Sequence, residues 1–132
     1  MTETSSWYVT LATLCWLQGD QVTFIYHIAV AADWARAVRD GQYTMSTRDR
    51  TLAEQGFIHA ATAEQVALVA NAFYRDVPDL LLLVIDPALV GPEIRYEPVP
   101  GQADPYPHIY GPLNLDAIVE TRPLPPPPGP NP

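Results

Sequence analysis

Apolar and polar residues follow one another along the chain in patterns that predict strands and short helices in turn. Residues 23–30, TFIYHIAV, are rich in β-branched and aromatic side chains and predict a strand. Residues 80–86, LLLLVID, form a continuous apolar run, which is typical of a strand buried on both faces. The alternating residues 93–99 predict a half-exposed strand, the short stretch 57–61 is extended, and residues 115–122 predict a further strand.

Three segments between these strands have the features of short helices. Residues 33–40 predict a helix with Asp33 as its N-cap and a glycine stop at position 41. Residues 48–56 predict a second helix, and Thr62 opens a third with Gln65 as its capping-box partner. The third helix has an apolar stripe at helical spacing, made by Val66, Val69, Ala70 and Phe73. Strands mixed with about three short helices predict the α+β class.

The two ends of the chain differ from this middle. Residues 7–17, WYVTLATLCWL, are too short an apolar run to span a bilayer and lack the features of a secretory signal. We predict that residues 1–21 are an N-terminal extension, or that translation begins near Val22. The proline-rich residues 123–132 predict a solvated, polyproline-like tail. The compact domain is therefore predicted to span residues 22–122.

Composition narrows the range of partners. The chain has 132 residues, of which 48 % are hydrophobic and 17 % charged, as expected for one globular domain. Its seven basic residues are all arginine, and 15 acidic residues give a net charge of −8. Such a charge disfavours sequence-independent nucleic-acid binding and an anionic membrane surface, but local arginines could still hold a small anion. We expect a cytoplasmic protein without a membrane or nucleic-acid partner; the oligomeric state is not predicted.

Three histidines are the strongest chemical signal. His27, His59 and His108 each lie in an extended stretch flanked by aromatic residues: IYHI, GFIHAAT and YPHIYGPL. Histidine is suited to proton transfer, hydrogen bonding and metal binding near neutral pH, so the three together predict a shared site. The alternative is that each is structural and bonds a carbonyl. A zinc site is a further alternative, although no H-x-H or H-E-x-x-H spacing supports it, and no metal is predicted.

A carboxylate and two tyrosines complete the candidate site. Glu97 is the best carboxylate, because alternation in RYEP places Arg95 and Glu97 on one strand face. Prolines stiffen residues 106–114, YPHIYGPLN, into a segment that we interpret as neither a helix nor a plain strand. It would display Tyr106 and Tyr110 on either side of a histidine, or alternatively pack both tyrosines into the core.

Several of these motifs together resemble a known family. IYHIAVAADWARAVRDGQY, EQGFIHAATAEQVALVANAFYRD, LLLLVID, IRYEPV and YPHIYGPLNLDAIV look like the bacterial family called domain of unknown function 952, from about Phe24 to Val119. The resemblance implies an ADP-ribosyltransferase-like fold, a split antiparallel or mixed sheet whose cleft holds NAD. By position His27 resembles the first motif of that superfamily, GFIHAAT the second and YPHIYGPL the third.

The resemblance also implies roles for individual residues. His27, His59, His108 and Glu97 would be catalytic, with His27 also bonding the NAD ribose and Glu97 placed near a developing positive charge. The other residues expected to bind NAD or a related nucleotide are Tyr26, Thr62, Tyr106 and Tyr110. ADP-ribosyl transfer or RNA 2′-phosphotransferase-like chemistry would follow. This chain has Ala60 and Ala61 where the family usually has Cys-Ser, and no obvious Glu in the third motif, so a non-catalytic nucleotide-binding or interaction module is the alternative.

Overall fold

The computed structural model describes residues 23–125, which form short strands and three helices. The strands are β1 (Ile25–Val30), β2 (Gln42–Tyr43), β3 (Met45–Thr47), β4 (Arg50–Thr51), β5 (Ile58–His59), β6 (Leu80–Ile85), β7 (Glu93–Glu97), β8 (Tyr106–Tyr110), β9 (Leu113–Asn114) and β10 (Ile118–Leu124). The helices are α1 (Ala31–Asp40), α2 (Leu52–Gln55) and α3 (Val66–Phe73), with short 3₁₀ turns at Ala63–Gln65, Pro87–Leu89 and Leu115–Ala117.

The first large sheet has the order β1-β6-β10 and is antiparallel throughout. Its central strand is the apolar run predicted to be buried, and Leu83 and Ile85 are 0 % exposed. On β1 the side chains of Ile25 and Ala29 pack into one apolar cluster, while Ile28 packs into another. The central strand β6 also contributes to both clusters, with Leu83 and Ile85 in the first and Leu80 in the second. A strand between two apolar clusters needs apolar residues on both faces, which is why the sequence of β6 is continuously apolar instead of alternating.

The second large sheet has the order β5-β8-β7, also antiparallel. Its central strand is YPHIY, so the interpretation of this segment as something other than a plain strand is wrong. Pairing on both sides outweighs the local preference of the proline, which stands opposite Tyr96 of β7. Although Pro107 has no N–H to donate, its carbonyl oxygen accepts a hydrogen bond of 3.0 Å from the Ala60 N–H.

Within the described residues, the two sheets meet at an isolated bridge between β1 and the residues after β5. The N–H groups of Tyr26 and Ala61 each donate to the carbonyl oxygen of the other residue, both at 2.8 Å. Beyond this bridge the strands part. The protein is therefore α+β with several antiparallel sheets and three helices, as predicted, and we call the line where the sheets meet the seam.

The helices agree with the predictions at their C-terminal ends better than at their starts. Helix α1 begins two residues before Asp33, which is not its cap and instead forms an ion pair with Arg36 at 3.0 Å. It stops at Gly41, whose φ of 90° is easily adopted only by glycine. Residues 48–51 form a turn and β4 instead of the predicted helix, because Thr51 is the N-cap of α2.

The third helix follows the prediction, with one difference on its apolar stripe. The Gln65 side chain accepts a hydrogen bond of 3.0 Å from the Thr62 N–H and so closes the turn before α3. Ala70 is buried, but Phe73 is 62 % exposed. Phe73 is not part of the core, because its ring lies at the mouth of the cleft described below.

Strand β10 ends later in the chain than residue 122, the predicted C-terminal boundary of the compact domain. The predicted N-terminal extension lies outside the described residues, as does the tail from residue 126 onwards. Pro123 and Leu124 belong to β10 and stand opposite Leu81 and Leu80, so the last strand runs past residue 122. Within residues 23–125 the helices are all too short or too polar to cross a membrane.

Candidate functional site

A cleft of about 610 Å³ opens where the two sheets part at the seam. Proteins commonly bind small molecules in clefts of this size. Strand β1, the β3–β4 turn, the residues around β5, helix α3 and the β7–β8 loop all contribute to its wall. The aromatic, imidazole and guanidinium groups along it belong to Tyr26, His27, Arg48, Arg50, His59, Phe73, Tyr74 and Tyr106.

His27 forms part of the floor of the cleft and is 3 % exposed. Its Nδ1 lies 2.5 Å from the carbonyl oxygen of His59, and its Nε2 lies 2.9 Å from the hydroxyl of Tyr43. Because a carbonyl only accepts, Nδ1 carries the proton, and Nε2 accepts from the tyrosine hydroxyl. Burial lowers the pKa of His27 to about 4, so the ring is neutral at pH 7.

His59 is the histidine that the cleft offers to a ligand. Its ring lines the cleft and is hydrogen-bonded to none of the other residues in the range 23–125. Burial, and then the charge of His108, lower its pKa to about 4. A neutral imidazole with both nitrogens free presents one donor and one acceptor to a bound molecule.

His108 lies behind His59 and does not line the cleft. The two histidines are a cross-strand pair of β5 and β8, and their rings meet edge to face with centroids 4.9 Å apart. Phe57 stacks on His108 at 4.1 Å and covers it. His108 donates from Nδ1 to a carboxylate oxygen of Glu97 at 2.7 Å, and its buried Nε2 has no partner among the described residues.

Glu97 lies in this neighbouring cluster and not in the wall of the cleft. The same oxygen that bonds His108 also accepts a 2.5 Å hydrogen bond from the Tyr110 hydroxyl. These bonds, that of Tyr110 first, lower the pKa of Glu97. Arg95 pairs with Glu93 at 3.0 Å and places its guanidinium 4.5 Å from the centre of the Tyr110 ring.

The sequence-predicted residues therefore divide into three groups. Tyr26, His27, His59 and Tyr106 come together at the cleft. His108, Glu97 and Tyr110 form the neighbouring cluster described above. Thr62 lies outside these two groups, and its backbone N–H donates to the Gln65 side chain in the turn before α3. The three histidines lie close to one another, but they are linked in series, and His108 does not line the cleft. In residues 23–125, His, Cys, Asp and Glu side chains form no group of three or more that could hold a metal ion.

Sequence reasoning missed two arginines and a tyrosine. Arg48 and Arg50 flank Asp49 at the β3–β4 turn and line the cleft, and Tyr43 fixes the His27 ring from beneath. The composition of residues 48–50 predicts the start of a helix. The signal against that interpretation was Thr51 followed three residues later by Glu54, which marks a helix N-terminus at that point.

Comparison with known proteins identifies relatives but no activity. The family model described as "Protein of unknown function (DUF952)" matches residues 28–121, which include His59 and His108 and begin one residue after His27. Comparison with curated proteins gave no match.

Solved structures of one protein, CC0527 from Caulobacter crescentus, resemble this chain. Its crystal structure is 31 % identical, covers 77 % of this chain and 86 % of that one, and superposes with a TM-score of 0.68. The solution NMR structure has the same identity and share of this chain, covers 84 % of that one and has a TM-score of 0.63. Since the family model spans well over half of its length, the chain belongs to the DUF952 family of proteins of unknown function.

Proposed function

We propose that the cleft at the seam binds NAD or a related nucleotide. The observation that carries the proposal is the juxtaposition of flat side chains, those of Tyr26, His59 and Tyr106, in a cleft of about 610 Å³. Aromatic and imidazole rings stack on a base or a nicotinamide, and the neutral His59 supplies a donor and an acceptor for a ribose or ring edge. The ADP-ribosyltransferase-like resemblance of the sequence motifs points to the same class of ligand.

Binding is proposed ahead of transfer chemistry because of where the carboxylate lies. Cleavage of a nicotinamide–ribose bond needs negative charge beside the developing cation. Glu97, expected to supply it, is held by His108 and Tyr110 outside the cleft wall. ADP-ribosyl or phosphate transfer would require Glu97 to act through His108 and His59. Release of nicotinamide from NAD by the purified protein would establish that chemistry.

Thermal unfolding with millimolar NAD tests the proposal. A ligand at 100 times its dissociation constant adds about 2.7 kcal/mol to the free energy of unfolding. For a domain of this size that corresponds to a rise in Tm on the order of 5 °C or more. We expect the rise in the wild type and its loss in His59→Ala, which removes a ring without breaking a hydrogen bond inside the described region.

The exposed residue Asn71 on α3 gives the matched control, since it does not line the cleft. Asn71→Ala should keep the full shift. His27→Ala is a poor probe, because that ring is tied into the fold through both nitrogens. The proposal is wrong if neither NAD nor adenosine nucleotides raise the Tm of the wild type at millimolar concentration.

A further inference from the structure

The Arg50 guanidinium differs from those of the other arginines in having no hydrogen-bond or ion-pair partner within residues 23–125. Arg122 pairs with Glu120 at 2.9 Å, and Arg75 also takes part in an interaction. The remaining ion pairs of the arginines join Arg36 to Asp33, Arg39 to Asp40, Arg48 to Asp49 and Asp76, and Arg95 to Glu93. Among residues 23–125, nothing forms a hydrogen bond or ion pair with the Arg50 guanidinium, although its charge helps to lower the pKa of Glu54, after the hydrogen bonds from Thr51.

The Arg50 side chain lines the cleft, so a ligand bound there would lie near its guanidinium. The chain has a net charge of −8, so carboxylates are plentiful. An arginine that pairs with none of those in residues 23–125 is available to bind an anionic ligand. Both histidines at the cleft are neutral at pH 7, since their pKa values are lowered to about 4, so they add no positive charge there. Arg50 is therefore the cation that the cleft can offer to an anionic group.

Arg48 has a different task, which is to hold the turn that carries Arg50. Its Nη1 donates to the carbonyl oxygen of Phe73 at 3.0 Å and to Asp76 at 2.9 Å, and its backbone N–H donates to the Tyr74 hydroxyl at 3.2 Å. These bonds tie the β3–β4 turn to the C-terminal end of α3, across the mouth of the cleft. The turn is thus fixed before any ligand arrives, and little freedom is lost on binding.

We infer that Arg50 recognises a phosphate group, and that the ligand is a mononucleotide with a terminal phosphate monoester. The inference rests on the proposed function. A guanidinium binds phosphate oxygens through two parallel N–H···O bonds, and a monoester offers three oxygens and close to two negative charges at pH 7. In NAD the two phosphates are joined as an internal pyrophosphate, and each phosphorus carries less negative charge and fewer free oxygens than a terminal monoester. One arginine that pairs with no carboxylate of residues 23–125 matches one terminal phosphate.

The test compares AMP with adenosine, because they differ only in the phosphate. Dissociation constants are measured by calorimetry for the wild type, Arg50→Gln and Arg39→Gln. Hydrogen bonds to charged groups correspond to about tenfold to hundredfold in affinity, so wild type should prefer AMP by that factor. Arg50→Gln should bind both equally, at the adenosine level, and Arg50→Lys should regain part of the preference. Arg39 lies on α1 away from the cleft, and its variant should behave as wild type.

Each outcome distinguishes this inference from the proposed function. If adenosine binds but AMP binds no more tightly, or if Arg50→Gln keeps the preference for AMP, the role of Arg50 is wrong and the nucleotide cleft remains. If adenosine, AMP and NAD all fail to bind, both are wrong. Arg48→Gln distinguishes support of the β3–β4 turn from recognition of the phosphate. It should weaken the binding of AMP and of adenosine by the same factor and also lower Tm.

Discussion

The carbonyl oxygen of His59 accepts a hydrogen bond from Nδ1 of His27, at 2.5 Å, and so fixes the ring of one strand against the backbone of another. The bond lies beside the Tyr26–Ala61 bridge, at the place where the two sheets meet. It makes His27 a structural element of the seam as well as the floor of the cleft. The wall of the cleft at His59 therefore depends on the His27 ring, which burial keeps neutral at pH 7.

We predict that this dependence makes the fold sensitive to mild acid. The folded pKa of His27 is about 4, below its ordinary value of 6.5, so between pH 4 and 6.5 the unfolded chain binds a proton that the folded chain does not. Stability is therefore complete above pH 6.5 and is lost as the pH falls towards 4. From pH 7 to pH 5 the loss from His27 is about 2 kcal/mol, measured as the free energy of unfolding in urea.

A His27→Phe variant provides the comparison. It is expected to be less stable at pH 7, because the Tyr43 hydroxyl loses its partner, but its stability should fall less steeply between pH 7 and 5. Some slope will remain, since the pKa of His59 is lowered as well. Equal slopes for wild type and variant would contradict a neutral His27 in the fold.

The hydrogen bond on the other side of the same ring gives a second prediction. Tyr43 is 1 % exposed, and Tyr43→Phe would leave Nε2 of His27 as a buried acceptor without a donor. Such a loss costs about 1–3 kcal/mol of unfolding free energy. Tyr96 is 54 % exposed, so Tyr96→Phe should change the stability by less than about 0.5 kcal/mol. Similar urea midpoints for both variants would show that the Tyr43 hydroxyl does not support the ring.

Much of the fold could be predicted because its signals are local and periodic. The central strand β6 is a continuous apolar run, and the glycine stops at Gly41 and Gly56 end α1 and α2 as expected. The start of α2 was also encoded locally, in the pairing of Thr51 with Glu54. It was missed because Arg-Asp-Arg before it is a common helical composition, while Asp49 adopts a φ of 62° that breaks a helix.

The candidate site was harder to predict, because it depends on contacts between distant residues. The convergence of the histidines could be inferred from their similar aromatic surroundings, and Glu97 does bond His108. The sequence could not indicate that Glu97 bonds His108 and Tyr110 instead of lining the cleft, since that depends on the register of β7 on β8. Nor could it single out Arg50, which lines the cleft and whose guanidinium forms no hydrogen bond or ion pair with the residues in the range 23–125.

The shared oxygen of Glu97 leads to a prediction about coupling. Because Tyr110 and His108 donate to one carboxylate oxygen, Tyr110→Phe and Glu97→Gln should not be additive. The double variant should lose less stability than the two single losses together, since each change removes the same bond. The free energy of unfolding of all four proteins in urea at pH 7 completes the cycle.

The charge on Glu97 gives this cycle a pH control. The folded pKa of Glu97 is lowered, so its contribution is present above the ordinary carboxylate range and is lost as the pH falls through the lowered value. In acid below that range the cost of Glu97→Gln should therefore shrink. Additive losses at pH 7, or a cost independent of pH, would show that the carboxylate is not held by these donors.

The last prediction concerns the glycine that follows β8. A Cβ at Gly111 would lie 2.9 Å from Cβ and 3.0 Å from Cγ of Pro92, and a proline ring cannot move away without its backbone. Gly111→Ala should therefore cost about 1–3 kcal/mol and lower Tm by several degrees. Gly91→Ala is the matched control, because its nearest neighbour, the Asn114 side chain, is at 3.4 Å and is not a ring. That variant should be near neutral, since alanine also reduces the entropy of the unfolded chain. Thermal unfolding of the two variants side by side decides the matter: a Gly111→Ala protein as stable as Gly91→Ala would mean that the end of β8 is not packed against Pro92.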